Sequence, residues 1–67
     1  MAITTSRIEK AIFMASNYKA QNIPLSYATG NIVKLLRLRD LNKSARVMTE
    51  LAKDQPSEET IKQIIHG

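Results

Sequence analysis

Apolar side chains recur along this chain three and four positions apart, the period of a helix with one buried face. No stretch alternates in the way a half-buried strand would. The first stripe is Ile8, Ala11, Ile12, Ala15 and Tyr18. Ahead of it, Ser6-Arg7-Ile8-Glu9 has the form of a capping box, with a carboxylate three residues past a hydroxyl and able to reach back to its amide. The helix is expected to fade near Ala20, because Pro24 pushes Ile23 out of the α region. Phe13 and Met14 fall off the stripe and are the first candidates for a protein interface.

A second helix is predicted over residues 26–38. On a helical wheel Tyr27, Ala28, Ile32, Leu35, Leu36 and Leu38 share one side, and Gly30, Lys34 and Arg37 the other. Arg39 would land among the apolar residues, so the helix should stop before Asp40-Leu41-Asn42. Gly30 costs about 1 kcal/mol relative to alanine inside a helix. It is a tolerated blemish, the mark of a new helix start at Asn31, or a point where the backbone of a partner comes close beside Lys34 and Arg37.

The third helix is predicted over 43–54, capped by Asp40 or Asn42. Ala45, Met48, Leu51 and Ala52 form its expected inward stripe, with Ser44 and Val47 at the edges. Lys43, Arg46, Glu50 and Lys53 lie opposite, and Arg46–Glu50 and Glu50–Lys53 have the spacing of surface ion pairs. The fourth helix is short. Ser57 caps it, Glu58 and Glu59 sit at the positive end of its dipole, and Ile61, Ile64 and Ile65 turn inward. The expected fold class is all-α: a small bundle of three helices plus a short C-terminal fourth helix, with a helix-turn-helix-like corner at residues 26–54. Residues 1–67 read as one small helical domain, helical over about two-thirds of its length or more.

Size changes the picture first. A chain of 67 residues buries only about 60% of the surface its unfolded form exposes, so its core is marginal. There is no cysteine, hence no disulfide and no thiolate for catalysis or zinc. Oligomerisation, such as a homodimer, or a partner is the remaining way to add stability. The lack of cysteine fits a cytoplasmic setting. No apolar run approaches the roughly 18 residues a membrane span needs, and no leader pattern is seen. Starting with Met and ending just after a helix, the chain reads as a complete short gene product.

Charge changes it again. Residues 34–46 hold Lys34, Arg37, Arg39, Lys43 and Arg46 against Asp40 alone, while the other five cations are matched by the other five carboxylates. The whole net charge of +4 therefore sits at one corner. Clustered cations suit phosphate binding, because each neutralised phosphate releases counterions; the alternative is a solvated basic surface. The residues do not fit a standard helix-turn-helix. With Asp40 at the turn, bulky Leu36 takes the small position and Arg46 and Thr49 take buried ones; with Arg39 at the turn, Lys34 becomes buried. Only three aromatic side chains, Phe13, Tyr18 and Tyr27, argue against a stacking platform for single strands.

Chemistry of other kinds has little to work with. His66 is the single histidine, the only glycines are Gly30 and Gly67, and no serine has a base partner at a recognisable spacing. No enzyme, cofactor or metal site is expected. The expected function is a small regulatory binding protein of phage, plasmid or bacterial type, acting in transcription or replication control. It would bind nucleic acid through Lys34, Arg37, Arg39, Lys43 and Arg46. The alternative is a protein-binding regulator (an inhibitor, antirepressor or adaptor) docking through an apolar patch of Phe13, Met14 and Leu41.

Overall fold

A computed structural model describes residues 5–67. Helix α1 spans Thr5–Ala20, a 3₁₀ turn spans Leu25–Ala28 and runs directly into α2, Thr29–Leu36. Then follow α3, Leu41–Leu51, and α4, Glu58–His66. Helices occupy 76% of the described residues, and there are no strands among them, as the apolar periodicity predicted.

Helix α1 is the centre of the bundle and packs against α4, α2, the 3₁₀ turn and α3; α3 also packs on α4. The cause is visible in its stripe. Ile8, Ala11 and Ala15 are fully buried, and the two alanines let neighbouring helices approach its backbone closely. Ala28, Ile32 and Leu36 come in from one side, Val47 and Leu51 from another, and Ile61 and Ile64 from the fourth helix. The radius of gyration, 10.7 Å, matches the roughly 11 Å of a compact chain of this length. Helices α2 and α3 are joined by the four-residue turn 37–40, and both lean on α1 more than on each other.

Several boundaries and faces differ from expectation. Ser6 lies inside α1, so the helix does not begin with the capping box. Residues 25–28 wind as a 3₁₀ turn, whose tighter winding carries Tyr27 outward to 73% exposure. Met14 packs against the core instead of standing off the stripe. In α3 the inward face is turned by about one position. Ser44, Val47, Glu50 and Leu51 are buried, while Ala45 and Ala52 are exposed. Two small alanines have little apolar area to gain by burial, so Val47 and Leu51 set the rotation. Glu50 follows them inward because its carboxylate finds donors. It accepts the Ser57 amide at 2.9 Å and the Lys53 ammonium at 3.0 Å, and the expected Arg46–Glu50 pair does not form among the described residues.

The caps of α3 and α4 are as the residues predict, whereas α2 starts at Thr29 with no side-chain cap. Asp40 accepts from the amides of Asn42 and Lys43 at 2.8 and 3.3 Å, and Ser57 from that of Thr60 at 3.2 Å. Three helix ends are closed by cations from elsewhere. Arg7 donates to the Leu35 carbonyl at 3.0 Å, Lys19 to the Leu51 and Lys53 carbonyls at 2.9 and 2.6 Å, and Lys43 to the Ile65 carbonyl at 3.1 Å. Each places positive charge where the helix dipole is negative and satisfies a carbonyl the helix leaves free.

Candidate nucleic-acid interface

The basic corner is built on the way α2 ends. The Leu38 amide donates to the Val33 carbonyl at 3.0 Å and the Arg37 amide to the Lys34 carbonyl at 3.3 Å. This nested pair is the Schellman arrangement, which needs a left-handed residue just past the helix. That residue is Arg37, at φ 54° and ψ 42°. Helix α1 ends the same way, with Ile23 donating to Tyr18 at 2.9 Å, Asn22 to Lys19 at 3.1 Å, and Asn22 at φ 59°. Asparagine tolerates the left-handed region; an arginine there is uncommon and costs energy that glycine would avoid.

The turn throws its cations into one open groove. Lys34, Arg37 and Arg39 line it together with Gly30, Asn31, Val33 and Leu38. Lys34, Arg37 and Arg39 are exposed, and among the described residues the one ion pair is Lys53–Glu50. Asp40, the nearest acid in sequence, turns its carboxylate to the start of α3. From residue 10 to residue 39 the chain has no Asp or Glu, so the 3₁₀ turn and α2 present no competing negative charge.

The five expected phosphate contacts separate into groups. Lys34, Arg37 and Arg39 come together. Arg37 and Arg39 also border a second, smaller groove with Asp40, Lys43, Ile65 and His66. Lys43 is half-buried there and its ammonium is already bound to the end of α4. Arg46 is exposed on α3 and lines neither groove. Asn31, exposed in this groove, was not foreseen as part of it; the acid-free run through residues 10–39 is the signal that could have pointed to it.

The expected apolar patch is also divided. Phe13, 68% exposed, and Met14 line a groove with Leu35, rimmed by Ser6, Glu9, Lys10 and Asn17. Leu41, 85% exposed at the start of α3, is not part of it. Among the described residues no three His, Cys, Asp or Glu side chains gather as metal ligands, and no helix is long and apolar enough to cross a membrane. Comparison with known proteins finds no family model, no curated relative and no solved structure that matches this chain.

Three unpaired cations on a helix end and its turn can each take a phosphate oxygen. The guanidinium groups of Arg37 and Arg39 can do so with two parallel bonds, and Lys34 acts as a point charge beside them.

Proposed function

We propose that this protein is a small nucleic-acid-binding regulator, of the kind that controls transcription or replication, and that Lys34, Arg37 and Arg39 hold its phosphates. One observation carries the reading: three exposed cations share a groove without a carboxylate partner, and one of them occupies a left-handed position better suited to glycine. Arg46 adds charge at the flank, and Lys43 contributes its field while its ammonium closes α4. The apolar groove of Phe13, Met14 and Leu35 supports the second reading, a protein-binding regulator or a homodimer seam.

The test is a binding titration over a salt series. A Lys34→Ala, Arg39→Ala double variant is expected to lose affinity for any sequence, with a salt slope shallower by about two units. Lys10→Ala, Lys62→Ala removes the same charge outside the groove and should leave the slope within about half a unit of wild type. Equal behaviour of the two variants, or no binding by the wild type near 50 mM salt, overturns the reading and puts the protein-binding one first.

A further inference from the structure

Helix α2 carries on its outer face a glycine that its own fold does not require. Gly30 is exposed, its φ is not positive, and a Cβ added there would meet nothing within 4 Å. The glycine penalty of about 1 kcal/mol belongs to helix interiors and Gly30 is the second residue of α2, yet neither packing nor backbone geometry requires a glycine there. Of the residues that share its groove, Asn31 beside it, Lys34 four residues on and then Arg37 are exposed, and Val33 is half-buried. The opposite face, Ala28, Ile32 and Leu36, is fully buried.

Resting on the nucleic-acid reading, we infer that α2, and not α3, is the element that enters the nucleic acid, and that its ligand is the major groove of duplex DNA. Gly30 is the point of closest approach, Asn31 faces base edges, and Lys34, Arg37 and Arg39 hold the flanking phosphates. Charge complementarity is the first argument, since this face has cations and no acid. Dimension is the second. A helix with its side chains is about 10–12 Å across, a cross-section that the B-form major groove, about 12 Å wide, admits. The major groove of A-form RNA is too narrow and deep for side chains to read. Single strands need stacked aromatics, and no aromatic ring is among the residues that line this groove. An asparagine amide matches the donor and acceptor pair of adenine in the major groove. Helix α3 is the weaker candidate because Lys43, in its first turn, is bound to the Ile65 carbonyl, which ties that turn to α4.

Two leucine substitutions separate the helices. Gly30→Leu adds a good helix former to open space, so its melting temperature should equal or exceed that of wild type. Ala45→Leu does the same on the exposed side of α3. With a mixed-sequence DNA duplex as probe, Gly30→Leu is expected to lose about tenfold or more in affinity, and Ala45→Leu to bind as wild type does. Gly30→Ala carries the same test at smaller amplitude if the leucine variant melts early. The inference is overturned, with the nucleic-acid reading intact, if Gly30→Leu and Gly30→Ala bind like wild type or if Ala45→Leu loses as much. It is overturned also if the wild type prefers duplex RNA or single strands. If the wild type binds no nucleic acid, both readings fall together.

Discussion

Arg7, Lys19 and Lys43 reach over the ends of other helices, whereas Lys34, Arg37 and Arg39 reach into an open groove. The first set ties α1 to α2, α1 to the end of α3, and α3 to α4, so that three of the four helices have a foreign cation over their last carbonyls. A core this small gains from such staples, which take the place of the disulfides it lacks. The second set makes no ion pair with a carboxylate among the described residues. Charged residues of one type thus divide into a structural half and an outward half. A count of charge at one corner merges them: Lys43 belongs to the fold although it lies in the basic window.

The division predicts opposite phenotypes. The largest effect is expected from Lys19, whose ammonium binds two carbonyls at the end of α3. Lys19→Met keeps much of the stem and removes both bonds. It should cost about 1.5 kcal/mol, a fall of roughly 6–12 °C in melting temperature, and leave nucleic-acid affinity unchanged at temperatures where the variant is folded. Thermal unfolding followed by circular dichroism measures this. An unchanged melting temperature would place Lys19 with the outward cations and erase the division.

Glu50 extends the structural set to a carboxylate. It is 6% exposed, and the Ser57 amide, then the Lys53 ammonium, hold its pKa below the ordinary 4.5. In the unfolded chain the carboxyl takes up a proton near its ordinary value; in the folded chain it does so only at lower pH. The stability contributed by these bonds is therefore fully present above the ordinary value and is lost as pH falls through the folded one. Denaturant midpoints measured from pH 7 downward should decline across that acid range, and Glu50→Gln should flatten the decline while lowering the midpoint at pH 7. A decline of the same steepness in Glu50→Gln would assign the acid sensitivity to other carboxylates.

What was legible in the residues is what is local. Asp40 and Ser57 cap the helices that follow them, Pro24 and Pro56 separate elements, and the three isoleucines of α4 turn inward or partly inward. The rotation of α3 was not legible. The expected stripe Ala45–Met48–Leu51–Ala52 and the observed Ser44–Val47–Leu51 share Leu51 and have similar apolar content, and the choice rests on α1, α4 and a Ser57 amide seven residues past Glu50. The end of α2 was hidden because the expected glycine is an arginine. The grouping of Lys34, Arg37 and Arg39 in one groove was legible because they are near in sequence, and the bond from Lys43 was not, because its acceptor lies 22 residues away.

The two Schellman turns offer the finest test of the division, because they share a geometry and differ in the residue that bears the strain. Asn22 accepts a left-handed backbone readily, so Asn22→Gly should move stability by no more than a few tenths of a kcal/mol. Arg37 is an ordinary L-residue at φ 54°, and a left-handed conformation costs such a residue about 1 kcal/mol. Arg37→Gly removes that cost and keeps both backbone hydrogen bonds. It also gives the unfolded chain more freedom, which returns part of the gain. A net stabilisation of about 0.5 kcal/mol is expected, roughly 2–4 °C in melting temperature. The same variant should bind nucleic acid more weakly, with a salt slope shallower by about one unit. Stability and affinity moving in opposite directions is the signature of a residue held in place for its side chain. If Arg37→Gly is more stable and binds as tightly as wild type, Arg37 is only an unfavourable turn residue, and the outward set shrinks to Lys34 and Arg39.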